Sequence, residues 1–209
     1  MQLPQPVRYY HTPRAPNPRR TDIFLAEKGV EVERVPVDLL GGAHKAGDYL
    51  AKAGVPQVPA LELSDGTVLV EVPAICRYIE ALTPEPNMLG RDPLEAAVIE
   101  MWQRRIELRL MMVIAFCFRH TNPHMAALEE QCPDWGAVNA GRIDERLAEL
   151  DRRLDGHEWI AADRLTIADI TGVVAVDFLR ILKREVPEEM KALRDWHARM
   201  KARPSTAMK

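Results

Sequence analysis

Cysteine is scarce. The 209-residue chain has three, Cys76, Cys117 and Cys132, odd in number and far apart. They form no CxxC pair and no zinc-ligand spacing, which excludes a cysteine-built metal centre and fits a reducing cytoplasm. Long apolar runs are missing too. The longest, Leu110 to Phe118, falls short of the roughly 20 residues a membrane-spanning helix needs. The first residues, "MQLPQPVRYY", lack a signal-peptide pattern. Neither sign of charge dominates: 28 Lys and Arg stand against 31 Asp and Glu, and the cations are spread among the acids. No basic stripe recommends nucleic acid as a partner. There is no internal repeat and no low-complexity tract.

What is present follows two patterns. Up to about Leu82, strand and helix signals alternate. "PVRYYH" is a β-rich run, and "NPRRTDIFLAEKG" reads as a helix closed by Gly29. "VEVERVPVDL" is a second strand, and "AHKAGDYLAKAG" a short helix closed by Gly54. "VPALEL" and "TVLVE" are strands joined by an Asp65-Gly66 hairpin turn. "PAICRYIEAL" is a helix with Pro73 near its first position, where its missing N–H costs nothing. The order βαβ then αββα predicts two parallel strands with a crossover helix and an added antiparallel hairpin. "TPEPNMLGRDP" reads as a linker. Beyond it the pattern is helical, with a break at Asn122-Pro123 and amphipathic stretches ending near Gly156 and Pro204. The expected division is 1–82, a linker 83–93, and an all-helical 94–209.

"LTIADI" carries a local signal. Thr166 and Asp169 have capping-box spacing, and Leu165 and Ile170 can form the accompanying hydrophobic staple. Asp169 is therefore expected to be structural rather than catalytic.

A thioredoxin-like half followed by a helical half, with "APNPRR", "GAHK", "PQVPAL", "EVPAICRYI", "TIAD" and "WHARMKARPS" in this order, resembles the cytosolic glutathione S-transferase superfamily over nearly the whole chain. The resemblance implies a cytoplasmic, homodimeric detoxification enzyme with glutathione as co-substrate and a small hydrophobic electrophile as second substrate. It implies no metal. Val58-Pro59 would be a cis peptide, with Val58 offering its backbone to the cysteinyl part of glutathione as a free strand edge does. Gln57 would reach a carboxylate, His44 and Lys45 would take the glycyl end, and Glu71 the γ-glutamyl ammonium. The family usually has Ser after this Glu. Here the residue is Val72, which keeps the helix-start N–H but loses a hydroxyl.

The thiol needs a donor that favours its thiolate. Serine-type members place a serine where this chain has Ala15. Asn17, Thr12 and Tyr10 are the substitutes, in that order, Asn17 leading because a helix dipole points at the same place. No cysteine stands in this loop, which argues against disulfide exchange. Met111, Met112, Phe116 and His120 are candidates for an apolar wall, and Arg77 and Tyr78 for a dimer interface. Ala15 and Val72 are also what a binding or regulatory protein with little catalysis would show. Isomerase, reductase or peroxidase chemistry is a further alternative that the sequence does not separate from transfer.

Overall fold

The computed structural model describes residues 3–13 and 15–207. Its chain forms two compact units, one reaching Asn87 and the other spanning Met88–Thr206.

In the first unit, β1 (Pro6–His11), α1 (Pro16–Glu27) and β2 (Glu33–Pro36) make the parallel βαβ crossover. β3 (Ala60–Leu63) and β4 (Val68–Val70) form the antiparallel hairpin, giving the sheet order β2-β1-β3-β4. α2 (Gly47–Ala53) and α3 (Val72–Leu82) complete the unit. Strand alternation divides the core. Tyr9 is fully buried and its hydroxyl donates to the Pro18 carbonyl of α1, 2.8 Å away. Tyr10 points the other way and packs with Val37, Tyr49, Val58 and Ala60. This is the period-two rule at work on adjacent tyrosines.

Three expectations are corrected at their ends. The second strand is shorter than the β-rich run, since only Glu33–Pro36 is in register with β1, which itself ends at His11; a last bond from the Val37 N–H to the His11 carbonyl, 2.7 Å, closes the pairing. The expected helix over 43–54 is a 3₁₀ turn (Ala43–Lys45) and then α2, separated by an extended Ala46 at φ −149°. The final helix begins at Lys191 rather than at Pro187.

One lysine is wholly internal. The Lys28 ammonium donates to the carbonyls of Thr83 (2.7 Å), Pro84 (3.3 Å) and Pro86 (2.7 Å) and pairs with Glu80 at 2.6 Å, with no side-chain exposure. A buried cation is tolerated when paired and fully hydrogen-bonded, and these contacts tie the end of α1 to the segment after α3.

The second unit is helical: α4 (Pro93–Ile106), α5 (Met112–Thr121), α6 (Pro133–Leu154), α7 (Ile167–Phe178) and α8 (Lys191–Lys201). A π turn, Glu107–Met111, links α4 to α5 without breaking the rod. α7 is buried along Ile167–Asp177, as its all-round apolar sequence requires. The Thr166–Asp169 capping box forms. Asp169 does more than cap. Its carboxylate also accepts from the Ile160 amide (2.9 Å) and the Trp196 indole (3.1 Å). Burial pushes its carboxyl up, against these donors, which favour the anion. Asp92 caps α4 by accepting from the amides of Leu94 and Glu95 at 2.8 and 3.0 Å.

Candidate functional site

The first unit contains a small cleft lined by Asn17, Val55, Gln57, Val58, Pro59, Val70, Glu71 and Val72. Five of the nine residues expected to hold glutathione or activate its thiol meet here: Asn17, Gln57, Val58, Glu71 and Val72. The sequence brings them together through three chain turns. Asn17 opens α1, the segment 55–59 enters β3, and 70–72 leaves β4 for α3.

Two helix N-termini open on this cleft with no side-chain cap. Ala15 precedes α1, and the next residues are Pro16, Asn17 and Pro18. Proline carries no N–H, and the Arg19 amide is taken by the Ala15 carbonyl at 3.1 Å. Asn17 thus supplies the one open N–H of that turn. The α3 start repeats the device. Pro73 has no N–H, Ala74 and Ile75 both donate to the Glu71 carbonyl at 3.0 Å, and Val72 keeps the open donor. Such ends carry partial positive charge and receive anions.

The Val58-Pro59 peptide is cis. The Val58 side chain lies in the Tyr10–Tyr49 cluster, and the Tyr49 hydroxyl donates to the Gln57 carbonyl. Burial pushes the Tyr49 phenol up to about 12, so it stays a donor at neutral pH. Among the described residues no backbone group takes the N–H or C=O of Val58. Glu71 has φ 68° and ψ 119°, a conformation that side-chain-bearing residues rarely adopt. Such strain costs about 1–3 kcal/mol and gathers at functional positions.

The thiol-activating candidates separate by their partners. Thr12 donates its single hydroxyl proton to the Val37 carbonyl. Tyr10 donates to Glu62 at 2.6 Å, and burial together with that bond raises its phenol above the ordinary value. Both protons are already committed inside the unit. Asn17 differs. Its carboxamide oxygen accepts from Arg20 at 3.2 Å. Because a guanidinium only donates, this contact fixes which end of the amide faces it and leaves the NH₂ to point away. Neither the internal acceptors nor buried Arg20 were legible in the sequence. Val37 and Glu62 lie 25 and 52 residues from the hydroxyls they bind.

His44 and Lys45 sit on the 3₁₀ turn before α2 and do not line the cleft. Burial, then the charge of Lys45, lowers the His44 pKa, so at neutral pH the imidazole is neutral and Lys45 carries the charge. Tyr78 donates to the Pro4 carbonyl at 2.8 Å, an internal role. In the second unit Met111 is buried. The Phe116 ring lies 6.2 Å from the His120 ring and 6.0 Å from Trp135.

Residues 5–81 match the model of the glutathione S-transferase N-terminal domain, and residues 111–204 that of the C-terminal domain. Glutathione S-transferase 2 of Saccharomyces cerevisiae is 38% identical over 207 residues, covering 97% of this chain and 89% of that protein. Maleylacetoacetate isomerase of Pseudomonas aeruginosa is 30% identical over 175 residues, 78% of this chain and 77% of that one. The crystal structure of Gtt2 from Saccharomyces cerevisiae matches with a TM-score of 0.91 at 38% identity, over 96% of this chain and 99% of the other. A glutathione S-transferase domain-containing protein from Marinobacter aquaeolei matches with a TM-score of 0.90, also at 38% identity, over 96% and 100%. The uncapped helix starts, the strained glutamate and the cis proline thus stand in a chain that belongs to the glutathione S-transferase superfamily.

Proposed function

We propose that the protein is a glutathione transferase that joins the thiolate of glutathione to a small hydrophobic electrophile. The observation that carries this reading is the meeting of Glu71, the open Val72 N–H, the unpaired Val58 backbone and the α1 start at one cleft. A γ-glutamyl ammonium suits Glu71, and its carboxylate suits the Val72 N–H. Val58 pairs with the cysteinyl backbone as a strand edge would. Lys45 and Gln57 remain for the glycyl carboxylate. The thiol has an ordinary pKa of about 8.5 and needs help to ionise at neutral pH. The Asn17 amide, its carboxamide NH₂ and the α1 dipole all favour the anion. The thiolate then attacks the electrophilic carbon, a C–S bond forms, the leaving group departs with its electron pair, and the thiol proton goes to solvent. A cytoplasmic homodimer acting in detoxification, with domains at 1–82 and 94–209 joined by 83–93, completes the proposal.

A second reading is favoured by a specific observation. Ala15 has no hydroxyl, and those of Thr12 and Tyr10 are committed elsewhere. A protein that binds glutathione but activates it weakly would look the same. The isomerase among the relatives keeps glutathione-dependent isomerisation open as a variant of the main reading. Retention on immobilised glutathione, followed by turnover of a chloronitroaromatic acceptor, separates these. Retention with turnover supports the transferase. Retention without turnover supports the binder, and no retention removes both.

A further inference from the structure

A cleft of about 350 Å³ lies wholly within the second unit, where the end of α7 meets α8. Three stretches of chain line it: the end of α7 with the 3₁₀ turn Leu179–Leu182, the segment 184–186, and one face of α8. Lys183 joins the first two with φ 56° and ψ 37°. That left-handed conformation is uncommon for a residue with a side chain, and such positions gather at functional sites. Val176 and Val186 are buried and give the cleft an apolar floor.

The polar groups around this floor fall into two sets. One set is closed on itself. The nearly buried Asp177 carboxylate meets the His197 Nε2 at 2.9 Å and the Lys201 ammonium at 2.8 Å. Arg184 donates to the Ala140 carbonyl at 3.2 Å and pairs with Asp144. The other set is open. Arg180 donates its Nε–H to the Asp177 carbonyl at 3.3 Å, and Arg194 an Nη1–H to the Val186 carbonyl at 3.1 Å. Neither has a carboxylate partner among the described residues. One bond anchors each guanidinium at the cleft and leaves its other N–H groups for a ligand. Glu185, exposed on the lining, has no cation partner among the described residues.

The geometry points to a binding site for a small organic monoanion, an apolar body that carries one carboxylate. Pockets that take small molecules are mostly apolar, carry a few placed polar groups, and begin at about 300 Å³. The valine floor meets the first condition and the two open guanidiniums meet the second. A guanidinium fork takes both oxygens of a carboxylate. Two open cations against one open carboxylate leave a single net positive charge, which suits a monoanion better than a polyanion. An exposed ion pair is weak alone, so the apolar body has to add to it by covering Val176 and Val186. The site stands whether or not the first unit takes glutathione.

Titration of the intact protein with octanoate tests the site, read by calorimetry and by the methyl resonances of Val176 and Val186. Saturating S-hexylglutathione is present to occupy the cleft of the first unit, and the methyl resonances place the octanoate even where that compound does not bind. Saturable binding is expected with Kd below about 1 mM, with both valines shifting. Octanamide lacks the charge and acetate lacks the apolar body, and each should bind at least about tenfold more weakly. R180Q/R194Q should weaken octanoate binding about tenfold or more, and R180K/R194K, which keeps both charges, should weaken it less. R91Q/R199Q removes two cations outside the cleft and should change it less than about twofold. Absence of saturable binding up to about 10 mM would overturn the proposal. So would equal binding of octanamide, unmoved resonances of Val176 and Val186, unchanged affinity in R180Q/R194Q, or an equal loss in R91Q/R199Q. Sedimentation velocity adds a further check, because a changed oligomeric state in R180Q/R194Q would assign these arginines to a subunit contact and overturn it too. Circular dichroism of each variant ensures that lost binding is not lost folding.

Discussion

Four helix starts meet one physical problem in two ways. α4 and α7 in the second unit are closed by the chain's own carboxylates, Asp92 and Asp169. α1 and α3 in the first unit have no side-chain cap, and prolines reduce each to one open donor facing a cleft. A capped end is finished structure, whereas an uncapped end beside a cleft is a place for an external anion. The contrast yields predictions, because a cap should govern stability and an open end should govern binding.

The largest effect is expected at Asp169. Replacement by Ala leaves the donors of Ile160, Thr166 and Trp196 buried without an acceptor, at ~1–3 kcal/mol each, so a loss of about 3–5 kcal/mol is expected. Urea midpoints measure the loss, and glutathione affinity per folded molecule should hold. A stable variant that cannot bind would collapse the distinction between the two kinds of helix start.

Glu71 supplies the opposite case. Glu71→Ala should weaken glutathione binding about tenfold to a hundredfold, as the loss of a charge-assisted contact worth ~1.5–3 kcal/mol implies. Glu71→Gly should weaken it equally while raising stability by about 1 kcal/mol, since glycine tolerates φ 68° without strain. Calorimetry and thermal unfolding read the two quantities. An unchanged affinity in both variants would reduce Glu71 to a turn residue.

The thiol comes next. Ala15→Ser should lower the apparent pKa of bound glutathione by up to about one unit, or ~1.4 kcal/mol, and Asn17→Ala should raise it. Thiolate absorbance against pH gives both values. If neither variant moves the titration, the sulfur is not at the α1 start.

The smallest effect lies at Glu95. Arg164, then the Arg91 amide, hold its carboxyl down at about 2, against an ordinary 4.5. A folded pKa below the unfolded one gives stability above pH 4.5 that is lost as pH falls towards 2. Glu95→Gln should flatten that part of the acid limb and cost under about 1 kcal/mol at neutral pH, because the pair is partly exposed. Urea midpoints across this range that run parallel in both proteins would count against it.

The parallel pair and the added hairpin were legible because several elements of the first unit end at local signals, such as Gly54 and Asp65-Gly66, whereas the order β2-β1-β3-β4 came from the structure. The cleft was legible where its members are local too: Asn17 between prolines, Val58 before Pro59, Glu71 at a helix start. What escaped is non-local. Nothing between Trp102 and Thr121 marks the π turn, since no Gly or Pro interrupts that helical pattern. The capping box could be read from four consecutive residues, but Trp196 reaches Asp169 from 27 positions away. Thr12 and Tyr10 stand behind Asn17 as candidate donors, and their internal acceptors, the Val37 carbonyl and Glu62, are what a sequence does not show.

Lys28 has a consequence for chemistry performed on the whole protein. Its ammonium is enclosed by Glu80 and three carbonyls, so an acylating reagent has no path to it in the closed state. Exposed amines such as Lys45 and Lys191 react at once. Lys28 reacts only in the fraction of molecules whose first unit has opened around the end of α1. Its slow labelling, followed peptide by peptide in a mass spectrometer, is a built-in clock for that opening. Any ligand that binds only the closed unit should lengthen its period.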